Sequence, residues 1–146
     1  MAHTAEKEYL ACTTGTASIA VDVGFVQEIY ESRFISRLPG CPGFVLGMIN
    51  IRGLVMPVLD LLAVHDPIAP VKKIVILKTS EDLVGLLITQ LDDLQRFETI
   101  EPVDAAPSQL KAIAHALSGK APIDGKDVYI IDVEKLISST IAETAR

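Results

Sequence analysis

Tryptophan is absent from the chain, aromatic residues make up only 5% of it, and it has just two cysteines. Lysine and arginine number 13 against 19 aspartate and glutamate, a formal charge of −6, and the isoelectric point is near 5.0. Nucleic-acid binding is excluded, because a phosphate backbone needs a basic surface and single strands need stacking aromatics. Cys12 and Cys41 are too few for a secreted disulfide framework and read as reduced thiols of a cytosolic protein. Mean hydropathy is high, +0.38, yet charged residues, Gly or Pro interrupt every apolar run. None reaches the ~18 residues needed to cross a bilayer, so no direct membrane insertion is expected. Met1 to Glu8 is polar and carries no apolar signal-peptide core.

The signatures of catalysis are missing too. His3, His65 and His115 have no metal-ligand spacing among themselves or with the cysteines. No P-loop, dinucleotide glycine motif or nucleophile elbow is present. No cofactor and no metal are implied, and an enzyme is not expected. His65-Asp66 are loop neighbours that do not face each other as a dyad would. One enzyme reading stays open, a hydrolase using His115 and a nearby serine, whose activity would vanish on His115→Ala.

What is present is apolar, 49% of the residues, and repetitive. Gly47-Met48-Ile49-Asn50-Ile51-Arg52-Gly53 runs on to Val58-Leu59-Asp60-Leu61. Gly119-Lys120-Ala121-Pro122-Ile123-Asp124-Gly125 runs on to Ile130-Ile131-Asp132-Val133, 72 positions later and with the same spacing from first Gly to closing Asp. A weaker match lies upstream, 65 apart: Ala20 to Val23 and Val26 to Ile29 against Gly85 to Ile88 and Leu91 to Leu94.

Local patterns predict short strands over 9–14, 17–23, 34–38, 48–52, 54–59, 73–79, 83–89, 95–100 and 127–131, with another ending at Ile123. Asp124-Gly125 is a tight-turn dipeptide. A helical segment opens at Pro107, with Leu110, Ile113, Ala114 and Leu117 at helical spacing. Asp132 caps a last helix striped by Val133, Leu136, Ile137 and Ile141, and Asp60 caps a single turn. So many short strands point to two small barrels, which close most sheet edges. The expected division is a first barrel over 15–70 and a second over 73–131, completed by strand 9–14 and helix 132–144.

The block Gly47-Met-Ile-Asn-Ile-Arg-Gly-Leu-Val-Met-Pro-Val-Leu-Asp-Leu61 resembles the CheW-like family of bacterial chemotaxis adaptors. Val26-Gln27-Glu28-Ile29, Pro42-Gly43-Phe44-Val45, Ile123-Asp124-Gly125-Lys126 and Ile130-Ile131-Asp132 match further family motifs in order. The resemblance runs from Tyr9 to Ile137 and implies a mainly β fold of two pseudo-repeated five-stranded SH3-like barrels. It implies a non-catalytic scaffold that couples the cytoplasmic tip of a methyl-accepting chemoreceptor to the regulatory domain of a histidine kinase. Such a protein is cytoplasmic, recruited to receptor arrays at the inner membrane, and monomeric alone. A second reading is an interaction module of the same fold in pilus or surface-sensing signalling.

The resemblance also names residues. Those matching Glu28 and Arg52 serve partner binding in the family, and an ion pair would fix their two motifs relative to each other. An arginine fork at a turn apex orients a carboxylate as well as attracting it; the plainer reading of Arg52 is a solvated turn residue. Val26 and Ile29, flanking Glu28, read as core or as the lining of an apolar groove for a receptor helix, equally for Val26 and with core the stronger reading for Ile29. Gly47 matches a position where bulk disrupts binding, or answers a backbone need. Ile35 is a candidate kinase contact, with core the stronger reading, and Pro57 is structural. Lys120 and Pro122 depart from the family pattern, so the second barrel's edge is expected to be shorter or more polar.

Overall fold

A computed structural model describes residues 7–32, 35–37, 44–62, 65 and 72–144. Its eleven described strands are β1 (Tyr9–Thr14), β2 (Ala17–Asp22), β3 (Val26–Ser32), β4 (Ser36–Arg37), β5 (Val45–Ile51), β6 (Leu54–Leu59), β7 (Lys72–Lys78), β8 (Leu83–Ile88), β9 (Gln90–Gln95), β10 (Leu117–Ile123) and β11 (Lys126–Ile131). They form two sheets, ordered β10-β11-β2-β1-β9 and β3-β7-β8-β6-β5-β4.

Both sheets curl shut in the same way. The chain leaves edge strand β3 and within a few residues, as β4, pairs with β5 on the opposite edge, Ser36 against Met48 and Arg37 against Gly47. Beyond β9, Glu101 and Lys120 exchange two backbone hydrogen bonds of 2.9 Å, which brings the chain to the far edge at β10. Counting β3 and β4 as one bent strand, each barrel has five, consistent with the SH3-like expectation. Closure matters because an open edge is a template for unwanted pairing.

The repeat is carried by exchanged strands. Parallel pairing sets Val58 and Leu59 of β6 beside Gly85 and Leu86 of β8. The same pairing sets Ile130 and Ile131 of β11 beside Ala20 and Val21 of β2, at the two offsets seen in the sequence. Backbone bonds follow suit: Asp60 N–H donates to Phe44 O and Asp132 N–H to Ala116 O, both at 2.7 Å. Each barrel thus takes its hairpin from one copy and an upstream strand pair from the other. The sequence division at 70/73 therefore does not follow the sheets, since β7 and β8 join β3–β6 while β1 and β2 join β9–β11.

Three clusters of buried side chains follow from this. Ile35, Ile49, Ile51, Met56, Val58, Ile74, Ile76 and Leu87 fill the first barrel, and Tyr9, Ala20, Phe97, Ala121, Val128 and Ile130 the second. The largest lies between the barrels and includes Cys12, Ile19, Leu59, Leu77 and Leu86. Strands buried on both faces account for the high hydropathy.

Helices cover that central core. Helix α1 (Val133–Thr144) starts where Asp132 Oδ1 accepts the Lys135 N–H at 3.1 Å, the expected cap. The segment Ser108–Ala116 is 3-10 rather than α-helical, with breaks at Leu110 and Ile113. Its buried residues, Leu110, Ile113 and Ala116, recur every third position, the 3-10 period. Leu117 already belongs to β10.

Two strand assignments differ from the sequence reading. Strand β9 occupies 90–95 rather than 95–100, and β3 is a strand where the sequence pattern indicates none. Both are polar, half-covered edge segments whose composition carries little strand signal. Strand β10, seven residues long, is as long as β5 and not shortened by Lys120 or Pro122. Its polarity is real, as Lys120 pairs with Asp127 at 3.6 Å.

Candidate functional site

Register decides which side chains meet at the end of the first barrel. In β3, Val26 pairs with Leu77 and Glu28 with Ile76, with a bulge between them. A bulge adds one residue to one strand and changes which face follows. Leu77 belongs to the central core and Ile76 to the barrel interior. Val26 accordingly packs against the central core, whereas Glu28 shares the face of Ile76 at the barrel's end. Without the bulge, Glu28 would point the way Val26 does.

Arg52 arrives from the hairpin of β5 and β6. It sits at the turn with a φ of 52°, and its guanidinium Nη2 donates to Glu28 Oε2. The pair joins the hairpin to β3, a strand separated from β6 in the sheet by β7 and β8. The Arg52 side chain is 66% exposed and Glu28's 29%. An ion pair so placed contributes little to stability, about 0–1 kcal/mol. Its value is orientation: one corner of the fork is held, and the remaining N–H donors are presented to solvent.

Apolar surface flanks the pair. Leu54, opposite Ile51 and so on its face, is 53% exposed, and Val55 is 61% exposed. Ile29, expected in the core, is 37% exposed. It pairs with Val75 on the outer face of the barrel, where β3 is an edge strand. Leu54 and Val55 are the residues that sequence reasoning missed, whereas Ile29 sits nearer to its alternative reading as groove lining than to core. The available signal was their place directly after the turn glycine Gly53, where the hairpin runs out past the barrel's end.

Gly47 and Ile35 lie inside rather than on the surface. Ile35 is 7% exposed among the first barrel's core residues. Gly47 is buried in β5, where any Cβ would strike the backbone of β4. Neither presents a side chain to solvent. Val26 is half-buried, between the two readings its sequence allowed.

The second barrel carries different chemistry in the equivalent place. Asp93 matches Glu28 and Asp124 matches Arg52, so two acids stand where the first barrel has an ion pair. With Asp92 they line an open cleft of about 350 Å3. Asp92 is held by Thr13 Oγ1 at 2.8 Å and by Gln90 Nε2 at 2.7 Å. Leu91 and Leu94, which match Val26 and Ile29, are exposed beside it.

His115 does meet a serine. Its Nε2 lies 2.9 Å from Ser139 Oγ, and that hydroxyl lies 3.0 Å from Leu136 O. The serine hydroxyl thus has two neighbours to which it can turn its proton, the Leu136 carbonyl and the imidazole, and the tautomer of His115 sets the roles. The contact ties the 3-10 segment to α1. His65 donates its backbone N–H to Asp60 Oδ2 at 2.9 Å, while Asp66 and Cys41 lie outside the described residues. Among the described residues, no helix is long and apolar enough to cross a membrane.

Comparison with known proteins gives a consistent picture. The model of the CheW-like domain family matches residues 8–140. The probable chemotaxis protein CheW of Rhizobium etli is 30% identical over 146 residues, covering 96% of this chain and 93% of the relative. The chemotaxis protein CheW of Klebsiella aerogenes is 26% identical over 141 residues, covering 93% and 84%. The crystal structure of the scaffolding protein TtCheW from Thermoanaerobacter tengcongensis superposes with a TM-score of 0.70 at 22% identity, covering 86% of this chain and 83% of that one.

Proposed function

The chain belongs to the CheW-like family, and from that premise we propose that it meets its partners through the Glu28–Arg52 end of the first barrel. It is a non-catalytic coupling adaptor of bacterial chemotaxis signal transduction. On this reading its partners are the regulatory domain of a histidine kinase and the cytoplasmic tip of a chemoreceptor. They meet in the cytoplasm, at receptor arrays on the inner membrane.

The observation that supports the reading is the Arg52 guanidinium, anchored by Glu28 yet largely exposed, with Leu54 and Val55 beside it. A carboxylate on the partner would complete the fork, and the apolar pair would lose water around it. Val26, Gly47 and Ile35 act from behind, by fixing the strands that carry this surface. Small interfaces of this kind gain strength from repetition in an array.

A calorimetric titration into the regulatory domain of the same organism's chemotaxis kinase tests the proposal. Saturable binding is expected, weakened at least tenfold by Arg52→Glu while the circular dichroism spectrum is unchanged. Undiminished binding by that variant would remove Arg52 from the kinase contact. Absence of wild-type binding at high micromolar concentration would move the chain to a CheW-like module in another pathway, such as surface sensing.

A further inference from the structure

Resting on the proposed role of Arg52, we infer that Asn50 is a positioning residue that holds the arginine at its turn apex. Two hairpins in this chain make the same turn, with apex φ values of 52° at Arg52 and 51° at Asp124. The left-handed region is costly for residues with a Cβ, and aspartate tolerates it far better than arginine because its short polar side chain bonds locally. Asp124-Gly125 is thus a turn sequence in its own right, whereas Arg52-Gly53 is not.

The first hairpin supplies what its apex lacks. Asn50 Oδ1 accepts the backbone N–H of Gly53 at 2.9 Å, bracing the turn from two residues before its apex pair. The position matching Asn50 in the second hairpin is Pro122, which has no side-chain acceptor. The brace therefore occurs where the apex is arginine and is missing where the apex is aspartate. Asn50 is exposed and opposite Val55, outside the barrel interior, so core packing does not account for it. Held in this turn, the guanidinium reaches Glu28, which lies on a different edge of the sheet. Released, the hairpin tip loses the geometry that aims it.

Two thermodynamic cycles test the assignment, the first without any partner. Asn50→Ala is expected to lower the melting temperature by about 2–4 °C, the shift of roughly one hydrogen bond in a domain of this size. In an Arg52→Gly background, where the apex no longer needs bracing, the drop should shrink to less than half. Equal drops in both backgrounds would overturn the inference whatever the chain binds. The second cycle reads kinase-domain affinity: Asn50→Ala should weaken it about 5–30-fold, Asn50→Asp should restore most of it by keeping the acceptor, and Arg52→Ala should abolish the Asn50 effect. Equal weakening by Asn50→Ala with and without Arg52 would make Asn50 a direct contact and sink the positioning role. If the wild type binds no kinase domain, the proposed function fails and the first cycle alone judges Asn50.

Discussion

A Cβ on Gly47 would stand 2.0 Å from the carbonyl oxygen of Ser36 and 2.8 Å from Arg37 Cα. The matching Gly119 has a milder conflict, 2.4 Å to Ile100 Cγ2 and 3.1 Å to Glu101 O. In both barrels the glycine lets the returning chain lie against the hairpin and shut the barrel. The obstacle differs, backbone in one case and the tip of a side chain in the other.

Gly47→Ala is therefore expected to destabilise by about 1–3 kcal/mol, as overpacking does, and Gly119→Ala by less, since Ile100 can change rotamer. Urea midpoints with unchanged m values would measure both. Kinase-domain binding by Gly47→Ala should fall because β4 is displaced, with no side chain of position 47 at the contact. Equal stability losses would contradict the distinction between the two closures.

Cys12 lies in the central core, where burial pushes its thiol up to about 12 from an ordinary value of 9.0, with a smaller contribution from Asp92. Between these values the unfolded chain loses the proton and the folded chain keeps it, so stability falls as pH rises across that window. Burial raises Tyr9 as well, with the same sign. Chemical denaturation from pH 8 to 11 should show this decline, made shallower by Cys12→Ala. In a Cys41→Ser background the remaining thiol should resist alkylation at pH 8 until the chain unfolds. Rapid alkylation of the folded protein would contradict its burial.

Thr14 is fully buried, and its hydroxyl has no hydrogen-bond partner among the described residues. Thr14→Val removes the orphan at nearly constant volume. A gain of about 1 kcal/mol is expected, read from the urea midpoint. A loss of that size would mean that the hydroxyl does find a partner, such as buried water.

Placing Arg52 at an exposed hairpin turn needed only its own sequence. Gly47 to Asp60 and Gly119 to Asp132 spell the same hairpin, and turn chemistry acts over a few residues, so the pattern is readable wherever it stands. The cap at Asp132 was legible for the same reason. Strand exchange between the copies was not, because β6 against β8 and β11 against β2 are parallel pairings between segments far apart in the chain. Nothing local in a strand says which distant neighbour it will meet. The face of Glu28 was equally hidden, since a one-residue bulge at Gln27 reverses every parity argument beyond it. Sequence alone determined the family, the hairpins and the candidate pair of charges. Tertiary structure decided that the pair meets across the end of one barrel, because only closure of the sheet brings its first strand back to the hairpin.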